Sequence, residues 1–224
     1  QASLDVMPQE IDTLQDYVSP KFTHDKLVNP TVGDLIDVFE DLWQSYLFDP
    51  VNVLLSSPNG DVAAMTLLSS YYESIQSYIS GESSQNRSKE FFVKGFLQIF
   101  SSASPETEKA ANEVYKHIRC GLVHESMLHH KVAYSRAGVQ TFFLTYPKNS
   151  DGTLNTQKVT SIVVNPQRMY DGTVHHFHSY VQTLREGNDQ LLIDCFQKTV
   201  KRQWATGTGE LIVGMTQDEF LGKA

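Results

Sequence analysis

Apolar residues recur every three to four positions through most of the chain, and this period divides it into helices. Leu4, Ile11, Leu14 and Val18 mark a short helix over 4–18 that Pro20 ends. Thr31, followed three residues later by Asp34, makes a capping box. The helix it opens carries Leu35, Ile36, Phe39, Leu42, Trp43, Tyr46 and Leu47 on one side and Asp34, Asp37, Glu40 and Asp41 on the other. Pro50, and then Pro58-Asn59-Gly60, interrupt the pattern. A long helix over 61–80 follows, with Met65, Leu68, Tyr72, Ile75 and Ile79 in its stripe and Gly81 at its end. Phe91, Phe92, Phe96, Leu97 and Phe100 predict a fourth helix. Ser104-Pro105-Glu106 starts a fifth, which runs towards His124: a cap, a proline in the first turn and an acid at the positive end of the dipole.

The period then changes. Residues 132–136, 139–146 and 158–164 are rich in β-branched and aromatic residues, and the turn-rich stretch 147–157 separates the last two. This predicts a small antiparallel hairpin or meander at about 132–164. Asn165-Pro166 opens another helix, Gly187-Asn188 interrupts it, and a last helix covers 191–204. Leu211 to Val213 read as one edge strand in the tail. The expected fold is thus mainly α: a helical bundle with a small β insert before its last two helices. Residues 1–30 form an acidic segment packed on the domain, 31–205 the domain itself, and 206–224 a C-terminal tail.

Composition narrows the function. No apolar run approaches the ~20 residues of a membrane span, and 1–5 lack the basic-then-apolar pattern of a secretory leader. Two cysteines, Cys120 and Cys195, make no disulfide framework. These features predict a cytoplasmic protein with reduced thiols. The net charge of −8 argues against a generic nucleic-acid surface. The charge is uneven, however. Residues 1–60 hold ten Asp/Glu and two Lys, whereas 109–136 hold Lys109, Lys116, Arg119, Lys131 and Arg136 against Glu113 and Glu125. An RNA strand would be repelled by the acidic quarter, so Asp34, Asp37 and Asp41 are expected to face away from Arg119.

The basic stretch contains Arg119-Cys120-Gly121-Leu122-Val123-His124. An arginine fork neutralises a phosphate, and a histidine near neutral pH takes or gives a proton. Together they suit metal-independent RNA cleavage. On an unbroken helix the two residues stand about 140° apart, so the helix must loosen near Gly121, or the pair must meet across subunits, or the two do not act together. Arginine and histidine at this spacing also arise by chance, as a surface Arg and a cap or core His.

The string resembles the signature of the HEPN superfamily: an Arg, four to six residues, then a His, late in a helical bundle. The layout over 30–205 is similar, although the motif itself covers about six residues. The resemblance implies a helical bundle that often dimerises, a cleft where Arg and His of both subunits converge, and RNase activity in defence or toxin–antitoxin systems. It assigns Arg119 as phosphate ligand and His124 as general acid/base, with no cofactor or metal; Lys116, Lys131 and Arg136, from the basic stretch, are the further candidate RNA contacts. One departure follows Arg119 directly: active members carry a polar residue there, often Asn, and this chain has Cys120. The alternative is a non-catalytic HEPN-like regulatory or interaction protein of unknown partner. A zinc site from His117, Cys120 and His124, at i, i+3 and i+7, is a further reading, for which no paired-Cys or carboxylate–His motif speaks. His175, His176 and His178 read as solvated or interface histidines, and Tyr71, Tyr72, Phe91, Phe92 and Phe96 as core or dimer interface rather than a base-stacking platform.

Overall fold

The computed structural model describes residues 17–100, 105–121, 128–204 and 222. A two-stranded hairpin comes first, β1 (Tyr17–Ser19) and β2 (Phe22–Thr23), followed by a 3₁₀ turn at His24–Leu27. Helix α1 (Val32–Trp43) begins at the capping box: Thr31 Oγ1 accepts from the Asp34 amide, and the Thr31 amide and hydroxyl donate to the Asp34 carboxylate. Those donors hold Asp34 down to about 2. The chain then passes through a π-helical segment, Gln44–Phe48, straight into α2 (Asp49–Ser56). Pro50 therefore does not break the helix. It sits in the first turn of α2, where a missing N–H costs little. The break comes only at Pro58–Gly60.

Helix α3 (Asp61–Ser80) is the axis of the molecule. Its Met65, Leu68, Tyr71, Tyr72 and Ile75 are fully buried. Gly81 ends it at φ 68°, a left-handed cap that a side chain would strain. Helix α4 (Ser88–Ile99) lies against α3, with Phe92 and Phe96 set edge-on to the Tyr72 ring at 5.2 and 5.3 Å. On the opposite side, Phe39 of α1 meets Phe177 of α6 (Pro166–Glu186) and Phe196 of α7 (Gln190–Trp204) at 5.6 and 5.3 Å. Burying such rings contributes roughly 1.5–3 kcal/mol each, so this aromatic seam is the main source of cohesion.

Helix α5 (Pro105–Val114) continues as a second π-helical segment, Tyr115–Cys120. After it come β3 (Val132–Tyr134), β4 (Phe142–Thr145) and β5 (Ser161–Val164). The expectation of an antiparallel hairpin or meander is corrected in one respect, the parallel placement of β3. The order is β3-β5-β4, with β5 antiparallel to β4 but parallel to β3. The physical reason is burial. Ile162 and Val164 of β5 are fully buried and take the centre, while β4, whose Phe143 is 57% exposed, takes an edge. Asn165 then caps α6 by accepting from the Arg168 amide, as its sequence suggests.

Of the helix expected over 4–18, only Tyr17 and Val18 lie among the described residues, and they belong to a strand. The described part of the acidic N-terminal segment packs on the domain through Asp41, which is 3% exposed. Ser19 Oγ and the Lys21 amide donate to its Oδ2 at 2.7 and 2.8 Å. The expected strand at 211–213 lies outside the described residues. Among the described residues, no helix is long and apolar enough to cross a membrane.

Candidate functional site

Arg119 stands on the π-helical segment, not on a regular α-helix. A π turn bonds each amide five residues back and widens the coil, so side-chain directions after Val114 depart from the 100° projection. Loosening near Gly121 is one of the three possibilities for the pair; the helix departs from α geometry from Tyr115, six residues earlier. Ile118 and His117 point inward and are buried, while Arg119 and Cys120 are half-buried.

Three residues that the motif does not include lead to the arginine through a chain of contacts. Nη2 of Arg119 lies 3.5 Å from Oε2 of Glu73 on α3. Ser88 Oγ, at the start of α4, donates to the same oxygen at 2.6 Å, and Tyr115 Oη donates to Ser88 Oγ at 3.4 Å. The chain Tyr115–Ser88–Glu73–Arg119 thus ties α3, α4 and the π segment together. The Arg119 side chain keeps 29% of its surface exposed and Glu73 keeps 18%. A guanidinium has five N–H donors, and among the described residues a single 3.5 Å contact leaves most of them open. Sequence carries one hint of this partner: Glu73 is the only charged residue between Asp61 and Gly81.

His124 lies outside the described residues, so the proposed pair is represented by Arg119 alone. Lys116 is exposed, and Lys131 is half-buried. Arg136 is committed elsewhere: its Nε donates to Asp61 Oδ1 at 3.1 Å, and its Nη2 to Asp61 and to the Leu55 carbonyl. It clamps the β3–β4 connection to the start of α3. Four acids of α1 are also engaged. Asp34 and Asp37 pair with Lys26, Asp41 with Lys21, and Asp37 and Glu40 with Arg185. Arg119 takes Glu73 instead.

Behind Arg119 the histidines stack. His117 and His129 have ring centroids 4.2 Å apart, and His129 and His130 also 4.2 Å. Nε2 of His117 is buried 3.3 Å from Glu113 Oε2, but off the hydrogen-bond direction, so it has no partner among the described residues. Burial first, then the charges of His129, Lys116, Lys131 and His130, push His117 down to about 4. Buried and neutral, His117 is a structural residue. Among the described residues no three His, Cys, Asp or Glu side chains stand close enough to hold a metal ion, and the His124 of the candidate zinc triad lies outside them. His176 donates to or accepts from Tyr71 Oη at 2.8 Å through Nδ1, and burial lowers it to about 4 as well. His175 and His178 are exposed.

No protein-family model, no curated protein and no solved structure matches this chain.

Proposed function

We propose that the chain is a HEPN-like protein that acts as a metal-independent endoribonuclease. The observation that carries this reading is the state of Arg119. It is half-exposed, mounted on a π-helical turn of the kind often found at functional sites, and held, among the described residues, by one 3.5 Å carboxylate contact. In this reading its open N–H groups take the phosphoryl oxygens of an RNA backbone. Glu73, fixed by Ser88, keeps the guanidinium oriented when no RNA is bound. Lys116 and Lys131, close enough to His117 to lower its basicity, add positive charge beside the site. Arg136, already bonded to Asp61 and Leu55, is left out of the RNA contacts.

His124 supplies the proton transfers. The 2′-hydroxyl loses its proton to the neutral imidazole and attacks the adjacent phosphorus, while the P–O5′ bond breaks and the leaving oxygen is protonated. Arg119 stabilises the charge that builds on the non-bridging oxygens. The products are a 2′,3′-cyclic phosphate and a 5′-hydroxyl. A homodimer, in which both subunits line the cleft, and a cytoplasmic role in a defence or toxin–antitoxin type system belong to the same proposal.

The test is the chemistry of the cut ends. A structured RNA incubated with the protein is expected to yield cyclic phosphate ends, and the same sequence lacking 2′-hydroxyls is expected to stay intact. Cleavage of the DNA version refutes the mechanism. The alternative, a non-catalytic binding protein on the same fold, draws on two observations: Glu73 neutralises the one arginine that matters, and Cys120 follows it. Intact RNA in every condition favours that alternative.

A further inference from the structure

A cleft of about 800 Å³ opens between α4 and the run from α5 into the π segment. That volume is in the range that holds small organic ligands. Val93 and Leu97, one turn apart on α4, make an apolar wall, and Tyr115 adds a half-buried ring. Glu108 and Asn112, one turn apart on α5, line it with polar groups. The other acid in the lining, Glu90, is tied to Arg87 and Lys94 at 2.7 Å each. The Glu108 carboxylate, by contrast, is exposed and has no partner among the described residues. Ser88 also lines the cleft, and it is the residue that fixes Glu73 beside Arg119. Cleft and arginine are therefore linked through Ser88 and Glu73.

We propose that this cleft is a base slot, and that the base it takes is guanine. The inference rests on the reading of Arg119 as a phosphate ligand, because it places the nucleoside next to that phosphate. In this slot a planar base takes its stacking contacts from the Tyr115 ring and the aliphatic wall of Val93 and Leu97, a favourable kind of contact. The unpaired carboxylate repels the phosphate end of a nucleotide, so the base enters. It also selects the base. Guanine presents N1–H and N2–H side by side and satisfies both carboxylate oxygens at once. Adenine, cytosine and uracil offer no such adjacent pair. Lys89, exposed on the rim and without a partner among the described residues, offsets the charge of the ligand's phosphate. Glu108 is thus a specificity-determining residue.

The test is calorimetric titration of the intact protein with 3′-guanosine monophosphate and, separately, with the 3′-monophosphates of adenosine, cytidine and uridine. The guanine nucleotide is expected to bind about tenfold or more tighter than the others, the discrimination of one good bidentate contact. Leu97→Trp, which fills the slot, is expected to abolish binding. Glu108→Gln is expected to remove the guanine preference. Thermal melts of both variants confirm that they fold. Equal binding of the four nucleotides, or full binding by Leu97→Trp, overturns the slot. Its failure is separable from failure of the nuclease reading. If Arg119→Ala and His124→Ala lose cutting while guanine shows no preference, the slot alone falls. If the preference holds but those variants cut like the parent, the slot stands and the nuclease reading falls.

Discussion

Gly95→Ala reads out how closely α3 and α4 approach each other. A Cβ at Gly95 would stand 1.9 Å from the Tyr72 carbonyl oxygen, where real Cβ atoms keep at least 3.0 Å. The obstacle is backbone, not the flexible end of a side chain, so α4 must retreat by about 1 Å or more. Phe92 and Phe96 then lose contact with Tyr72, and a radial gap of ~0.5–1 Å already forfeits a quarter to a half of each dispersion well. Overpacking of this kind costs about 1–3 kcal/mol, occasionally more. Against it stands the better helix propensity of alanine, worth about 1 kcal/mol at an open position. Because the clash is with backbone, the upper end of that cost applies and the expected net loss is about 2 kcal/mol, which lowers the melting midpoint by roughly 4–8 °C for a domain of this size. The same retreat draws Ser88 away from Glu73. Urea unfolding followed by far-UV circular dichroism measures the change, with the slope unaltered. An unchanged or raised stability, as propensity alone would give, refutes the packing argument.

Three further outcomes are expected. Burial opposes ionisation of Asp41, but its donors outweigh it and hold the carboxyl below the usual range. Its stabilisation is therefore full above about pH 4 and fades as pH falls through the lower folded value; Asp41→Asn should cost about 2 kcal/mol at pH 7 in urea unfolding, a difference that narrows in acid. His117 is held near 4 in the fold, so below about 6.5 the unfolded chain binds a proton that the folded chain does not. Stability then drops by up to about 3 kcal/mol between pH 6.5 and pH 4, and His117→Gln should flatten that part of the parent's profile; parallel profiles would show that His117 is not buried neutral. Glu73→Gln releases Arg119 from its carboxylate and should tighten RNA binding up to about fivefold in fluorescence anisotropy, the value of a half-exposed ion pair. Weaker binding would count against Arg119 as a phosphate ligand.

Local signals in the chain carried much of the architecture. The capping box Thr31–Asp34, the start at Asn165-Pro166 and the stop at Gly81 are written in two or three adjacent residues, and each stands where those residues imply. Pro50 misled because proline breaks a helix interior but fits a first turn, and only the register of α2 decides which applies. Strand order was hidden because alternation shows which residues pair but not with whom; the burial of Ile162 and Val164 settles that. The candidate site was half legible. Arg119 stood out by its neighbours in sequence, whereas Glu73 and Ser88 reach it from α3 and α4, long-range contacts without a local signature. The π segment was illegible for a related reason: Tyr115 to Cys120 continue a helical apolar pattern, and nothing in it separates a four-residue from a five-residue bond.

The most direct measurement is cleavage of a mixed structured RNA pool by the purified protein in excess EDTA, with Arg119→Ala and His124→Ala alongside. The account predicts cutting that survives chelation and disappears in both variants. Cutting that the chelator abolishes, or that both variants retain, would contradict it.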